Sequence, residues 1–159
     1  MERVSDLPTR VVVVDDQIMV SEIMALSISK ERDFSLVGVA NTDRDAEAVV
    51  KREHPDVIVL NYRKCDDEYV GVARSMLDES PNSRIVIVSG SGDNERPREA
   101  IGVDRARIVG KNSSIGEILS AIRRAARGED PAVRRGAFGW PVLRGAARGL
   151  ETSGRAPSW

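Results

Sequence analysis

The sequence predicts an α/β fold in which helices cover both faces of a parallel sheet. Five short runs rich in β-branched apolar residues carry this prediction, at residues 11–14, 34–40, 57–60, 85–88 and 108–109. Runs without polar alternation are typical of strands buried on both faces, as in parallel sheets. Stretches with helical spacing separate the runs, and right-handed βα connections leave few other ways to bury such strands.

Two of the intervening helices have recognisable first turns. Thr42 precedes the acidic residues Asp43 and Asp45, a pattern typical of a capped helix N-terminus. Ser114 and Glu117 have the spacing of a capping box, and apolar residues then recur at helical intervals as far as Gly128. The alternation of strands and helices therefore predicts five βα units.

Composition narrows the kind of protein and the kind of site. Hydrophobic residues make up 41% of the 159 residues but aromatic residues only 4%, so the core is expected to be aliphatic. A single cysteine, Cys65, and a single histidine, His54, exclude an internal disulfide and a Cys/His zinc site. No apolar run approaches the ~20 residues that cross a bilayer, and residues 1–10 lack a signal-peptide pattern. We therefore expect a soluble cytoplasmic protein whose site uses oxygen ligands.

Charge is unevenly distributed along the chain. Residues 131–159 contain five arginines and one acid, Glu151, a net charge of +4. The rest of the chain holds 19 of the 24 basic and 24 of the 25 acidic residues, a net charge of −5. This indicates an acidic domain followed by a basic tail.

Polar residues follow four of the predicted strands. Asp15 and Asp16 follow the first, Asn61 the third, Ser89 the fourth and Lys111 the fifth. Ligands of open parallel sheets bind beyond the carboxyl ends of the strands. Each of these residues alone is more often an ordinary turn residue, but together on this scaffold they indicate a site for a cation, a phosphate or both.

The order of these motifs resembles the receiver domain of bacterial two-component response regulators. VVVVDD, Asn61, IVIVSG and Lys111 carry the resemblance over residues 8–128, and ILSAIRRAARGE is similar to the last helix of the NarL/LuxR type. The resemblance implies a flavodoxin-like (βα)5 doubly wound parallel sheet with strand order 2-1-3-4-5. The resemblance also implies that the chain is not an enzyme.

The resemblance also implies roles for the residues at the strand ends. Asp16 would be the direct Mg²⁺ carboxylate, Asp15 its water-mediated neighbour, Ser89 the switch hydroxyl and Lys111 the phosphate partner. Asn61 stands at the position of the phosphorylated aspartate. A carboxamide is neutral and a poor nucleophile, so we expect no phosphorylation there, weak or absent Mg²⁺ binding and no other cofactor. Neutral Asn61 also predicts that Lys111 pairs with Asp15 or Asp16.

Three alternatives involve the loop after Asn61 or the vacated pocket. Asp66, Asp67 or Glu68 would serve as acceptor if the chain were a phosphorelay receiver with a substitute carboxylate, although acidic loops are usually only solvated. A small-molecule sensor would use the pocket for a metabolite. Cys65 would be a redox sensor, but its acidic neighbours disfavour the thiolate and predict an inert thiol.

The predicted partners are proteins. Residues 129–159 form a basic tail rich in Gly, Arg and Pro, with no recognisable output domain. We expect a homodimer or a regulatory protein partner, and the resemblance implies a histidine kinase. Nucleic acid would be bound only weakly by the tail, or through an output domain that is missing, and no membrane is expected to be bound. These observations together predict an atypical response regulator that acts in signalling or transcription regulation without aspartyl phosphorylation.

Overall fold

The computed structural model describes residues 7–62, 68–90 and 105–129. Its strands are β1 (Thr9–Asp15), β2 (Phe34–Ala40), β3 (Val57–Tyr62), β4 (Arg84–Ser89) and β5 (Ala106–Gly110). Its helices are α1 (Ile18–Ser29), α2 (Asp43–Glu53), α3 (Glu68–Glu79) and α4 (Ile115–Ala126). A helix between β4 and β5, which five βα units require, would lie outside the described residues. None of the described helices is long and apolar enough to span a membrane.

The five strands form one parallel sheet in the order β2-β1-β3-β4-β5. This confirms the predicted flavodoxin-like order 2-1-3-4-5. The order reverses direction at β1 and β3, so a crevice is expected beyond the carboxyl ends of these two strands. Asp15 and Asn61 are partners in the register there.

Two aliphatic clusters cover the two faces of the sheet. One contains alternate residues of the central strands together with Val49 and Val50 of α2 and Met76 and Leu77 of α3. The other contains the remaining strand residues together with residues of α1 and α4, among them Ile28 and Ile122. The central strands are buried on both sides, which explains why their sequences show no polar alternation.

Both predicted helix starts are confirmed. The Thr42 hydroxyl accepts a hydrogen bond of 3.1 Å from the Asp45 backbone N–H. Ser114 and Glu117 form the complete capping box, with each side chain accepting from the other residue's backbone N–H. Each cap satisfies N–H groups that a helix end otherwise leaves unpaired.

The strands differ in two details from what the apolar runs alone predict. Strand β3 continues past the apolar run 57–60 through Asn61 to Tyr62, because hydrogen bonding to β1 and β4 continues there. The pairing of β1 with β2 shifts register between Val11 and Val12, and Gly38 lies directly after the shift. A Cβ atom at Gly38 would overlap the Val49 side chain, so glycine allows α2 to pack closely on β2.

Candidate functional site

The two adjacent aspartates at the end of β1 have different environments. Asp15 is only 2% exposed, whereas Asp16 is exposed. The Asp15 Oδ1 atom accepts a hydrogen bond of 2.8 Å from the backbone N–H of Gln17, the residue that precedes α1. The turn from β1 into α1 therefore holds Asp15 inside the sheet edge and leaves Asp16 toward solvent.

Asn61 bonds directly to Asp15 across the β1–β3 pair. Its Nδ2 atom donates a hydrogen bond of 2.7 Å to the Asp15 Oδ2 atom. The Asn61 Oδ1 atom is buried and has no hydrogen-bond partner among the described residues. The site thus pairs one buried carboxylate with one carboxamide, and both carboxylate oxygens of Asp15 accept hydrogen bonds.

Asn41 and Ser21 extend this polar network and were missed by the sequence analysis. Asn41 follows β2, and its Nδ2 atom donates 2.8 Å to the Asp15 backbone carbonyl and 2.9 Å to the Ser21 Oγ atom. Ser21 is 1% exposed, and its hydroxyl donates 2.7 Å to the Ile18 carbonyl. Asn41 obeys the same rule as the predicted residues, since it stands at a strand's carboxyl end. Ser21 is buried in a helix and has no comparable signal.

Burial raises the pKa of Asp15 above its ordinary value. Hydrogen bonds from the Gln17 N–H and the Asn61 amide oppose this effect, because both donors favour the charged carboxylate. The neighbouring carboxylate of Asp16 raises the pKa of Asp15 further. A second buried carboxylate at position 61 would add to the penalty, whereas the amide reduces it.

Ser89 and Lys111 stand at the ends of β4 and β5, as predicted. The Lys111 backbone N–H donates 2.9 Å to the Ser89 carbonyl, which brings the two residues together at the same sheet edge as Asn61. The Lys111 side chain is exposed, and its carbons run beside Gly90. Within the described part of the chain, no ion pair joins Lys111 to Asp15 or Asp16.

The predicted pairing of Lys111 with the acidic residues is therefore wrong. Both Asp15 oxygens already accept hydrogen bonds, so the buried carboxylate does not need the ammonium group. Asp16 is exposed, and a pair between two solvated side chains contributes little. Solvation of Lys111 is thus the more favourable arrangement.

The described residues at the ends of β1 and β3 offer Mg²⁺ few free carboxylate oxygens. Mg²⁺ selects carboxylate oxygens, but the Asp15 carboxylate is already hydrogen-bonded on both oxygens and Asn61 offers only a neutral oxygen. Of the two adjacent aspartates, Asp16 is the one that keeps an exposed carboxylate. Over residues 7–62, 68–90 and 105–129, no group of three or more His, Cys, Asp or Glu side chains could hold a metal ion.

Several predictions concern residues that the structure does not describe. Cys65, Asp66 and Asp67 lie outside the described residues, and so does the tail from residue 130 onward. Glu68 begins α3, but only its backbone is described. The substitute acceptor, the inert thiol and the basic tail therefore stay predictions.

Residues 11–123 match the response regulator receiver domain family. The chain belongs to this family. It is thus a receiver domain of a response regulator, a module of two-component signalling, and the matched family is a regulatory domain rather than an enzyme.

Individual relatives of this receiver agree with the family match. An uncharacterized transcriptional regulatory protein, YxjL of Bacillus subtilis, is 31% identical over 120 residues, which cover 76% of this chain and 55% of YxjL. A protein-glutamate methylesterase/protein-glutamine glutaminase of Myxococcus xanthus is 28% identical over 162 residues, covering 92% of this chain and 47% of that protein. The receiver chain thus spans about half the length of these two relatives.

A solved receiver structure has the same fold. The signal receiver domain of the putative response regulator NarL from Mycobacterium tuberculosis superposes with a TM-score of 0.65 at 25% identity. The match covers 77% of this chain and 99% of that domain. The NarL-type resemblance drawn from the last helix is in agreement with this structure.

Proposed function

We propose that this receiver acts in signalling or transcription regulation without phosphorylation of residue 61, through contacts with protein partners. The hydrogen bond from the Asn61 amide to the Asp15 carboxylate is the observation that carries the proposal. It ties together the two strand ends where the family resemblance implies an acceptor aspartate and a metal-binding carboxylate. The names of relatives such as YxjL support a role in transcription regulation.

The chemistry of position 61 opposes phosphoryl transfer. An aspartate acceptor attacks phosphorus with an anionic oxygen, whereas the lone pairs of an amide are weakened by resonance and its oxygen is neutral. The Asn61 Nδ2 atom is further committed to Asp15 at 2.7 Å. Asn61 therefore lacks the anionic, strongly nucleophilic oxygen that the transfer requires.

The hydrogen bond from Asn61 to Asp15 also reduces the need for a cation at the site. Three carboxylates at one strand edge need a counter-charge, because like charges raise each other's pKa values and oppose burial. Here Asn61 stands where the resemblance implies the third carboxylate, and its amide donates a hydrogen bond to Asp15. The strand ends of β1 and β3 are thus expected to keep one conformation whether or not Mg²⁺ is present.

Intact-protein mass spectrometry tests the proposal. The full chain and an Asn61→Asp variant are incubated with Mg²⁺ and acetyl phosphate, and each mass is recorded over time. We expect the variant to gain one phosphoryl group and the wild type to gain none. An Asn61→Ala variant controls for changes that come only from loss of the amide.

Two other results would overturn the proposal or redirect it. Phosphorylation of the wild type, mapped by peptide fragmentation to Asp66, Asp67 or Glu68, would establish a phosphorelay receiver with a substitute carboxylate. If neither protein is modified, the loop after β3 no longer supports the chemistry. Stabilisation of the wild type by a metabolite, without Mg²⁺ or phosphate, would then identify a small-molecule sensor.

A further inference from the structure

The charge of the chain changes sign near the end of the receiver. Residues 105–159 contain 11 of the 24 basic residues and 4 of the 25 acidic residues, a net charge of +7. Residues 1–104 hold the remaining residues of both kinds, a net charge of −8. Ten of the 11 basic residues in the second part are arginines. Such an asymmetry within one chain indicates contact with a polyanion.

Five arginines surround the point where α4 ends, beside the amino-terminal ends of β4 and β5. The Arg84 guanidinium lies beside Gly128, where a Cβ atom would be 3.1 Å from its Nη2 atom. Arg107 donates a hydrogen bond of 3.3 Å to the Glu129 carbonyl. Arg105 donates bonds of 2.6 and 3.3 Å to two carbonyls of the turn before β4. We call this group the arginine edge, and its members are Arg84, Arg105, Arg107, Arg124 and Arg127.

The arginine edge carries more positive charge than the end of α4 needs. A helix C-terminus is equivalent to about −0.5 charge, and nearby cations stabilise it. Five guanidinium groups exceed this several-fold, and Glu129 offsets one of them through a 3.6 Å ion pair with Arg127. Hydrogen bonds to neutral carbonyls leave the charge in place, because arginine stays protonated in proteins. Asp56, at the amino end of β3, accepts a hydrogen bond from the Arg10 N–H on β1, away from β4. The described residues of this edge therefore carry an excess of positive charge.

The sequence of the tail adds arginines and aromatic residues. Residues 131–159 contain five arginines against Glu151, and three of these arginines are each followed by glycine. The tail also contains both tryptophans of the chain and one of its two phenylalanines, Trp140, Trp159 and Phe138. Aromatic side chains stack on unpaired bases, and arginine–glycine segments bind single strands. An acidic peptide offers no bases on which to stack, so this composition favours a single-stranded nucleic acid as the polyanion.

We propose that the arginine edge binds the phosphate backbone of single-stranded nucleic acid, and that the tail is a second binding segment of the same chain. A guanidinium group matches phosphate oxygens with two parallel hydrogen bonds, which an ammonium group does not provide. The net charge of −8 over residues 1–104 repels a polyanion from the rest of the receiver.

The tail follows Glu129 directly in the chain, so binding of one segment raises the effective concentration of the other. The arginine edge lies at the opposite ends of the strands from Asn61 and Asp15. Binding there requires neither Mg²⁺ nor phosphoryl transfer. The inference therefore goes beyond the proposed function and does not depend on it.

Fluorescence anisotropy of a labelled oligothymidine of about 20 nucleotides, with the full chain at several salt concentrations, tests the inference. We expect a dissociation constant of about 1–100 μM, the range that phosphate contacts alone provide. Each lost phosphate contact should reduce the slope of log K against log salt by ~0.7, so Arg124→Gln with Arg127→Gln should reduce it by about 1.4. The matched control is Arg44→Gln with Arg74→Gln, which removes two exposed arginines from α2 and α3 on the other face of the sheet and should leave the slope unchanged.

Several results would overturn the inference. Absence of binding at about 100 μM protein would do so, and so would an equal change of slope in the control pair. Preference for the same strand paired with its complement would refute the single-stranded target. Tighter binding of poly-glutamate would identify an acidic protein as the partner instead, and tighter binding of vesicles of anionic lipid would identify a membrane.

A second pair of substitutions tests the tail separately. Phe138→Ala with Trp140→Ala should weaken binding of the oligothymidine at least ~5-fold, because stacking on each base contributes to affinity. An unchanged dissociation constant would refute the role of the tail as a binding segment. Far-ultraviolet circular dichroism establishes that each variant is folded.

Discussion

Replacing Asn61 by aspartate should destabilise the receiver in the absence of Mg²⁺. The change removes a 2.7 Å hydrogen bond to the buried Asp15 carboxylate, and a bond to a charged group contributes about 1.5–3 kcal/mol. It also places a second carboxylate beside Asp15, and two like charges ~4 Å apart near a protein surface repel by up to ~4 kcal/mol. Partial protonation of the pair relieves part of this repulsion. We therefore expect a loss of about 2–4 kcal/mol in the free energy of unfolding.

Urea denaturation at neutral pH, with and without millimolar Mg²⁺, measures this effect. Asn61→Ala is the control, because it removes the hydrogen bond without adding a charge and should lose less stability. Mg²⁺ should restore stability to the aspartate variant and leave the wild type unchanged, since the cation supplies the missing counter-charge. An aspartate variant as stable as the wild type without Mg²⁺ would refute the role assigned to the Asn61–Asp15 bond.

Three further perturbations follow from the structure. The stability of the wild type should fall as pH rises from 3.8, the ordinary pKa of an aspartate, through the raised folded-state pKa of Asp15, because burial opposes the charged carboxylate. Thermal unfolding at each pH measures this fall, and Asp15→Asn should reduce it. Gly38→Ala should cost about 1–3 kcal/mol because its Cβ overlaps Val49, and Val49→Ala in the same chain should recover part of that loss in urea denaturation. Arg123→Met should cost about 1 kcal/mol because it removes the ion pairs with Glu31 and with the half-exposed Asp33. This cost should shrink in high salt and below the lowered pKa of Asp33, and an unchanged Tm would contradict a role for these ion pairs.

The strands and helix caps were predictable because local sequence determines them. The apolar run before Asp15 is buried on both sides, and no local polar residue competes with strand formation. Ser114 and Glu117 satisfy each other within four residues, so their cap does not depend on the rest of the chain. The extension of β3 to Tyr62 was not predictable from apolarity, because pairing with the neighbouring strands decides where a strand ends.

The sequence was sufficient to predict which residues lie at the site, but not which hydrogen bonds they form. The carboxyl ends of parallel strands meet at one edge, and this rule alone predicts that Asp15 and Asn61 lie together, as they do. Which of the two adjacent aspartates is buried depends on the turn at Gln17, and the solvation of Lys111 depends on how the Asp15 oxygens are satisfied. Tertiary hydrogen bonds determine both of these features. Two adjacent aspartates look alike in the sequence, so the sequence does not indicate which of them is buried.

The exposed face of α1 could not be predicted from the sequence either, for a different reason. Its sequence, IMVSEIMALSIS, is apolar enough to predict a buried helix, and periodicity alone does not reveal which residues face the sheet. The structure assigns Met24 and Ile28 to the core and Met19 and Leu26 to solvent. Only the structure separates the buried residues of α1 from the exposed ones.

The side-chain amide signals of Asn61 in a ¹H–¹⁵N correlation spectrum report directly on the hydrogen bond between Asn61 and Asp15. We expect these signals, assigned with an Asn61→Ala variant, to be protected from solvent exchange and to stay unmoved by millimolar Mg²⁺ and acetyl phosphate. They should move only when pH changes the charge of Asp15. Saturable shifts on addition of Mg²⁺, or loss of the signals with acetyl phosphate, would show that the Asn61–Asp15 bond opens to the chemistry of an ordinary receiver, and would contradict a role that is independent of phosphorylation.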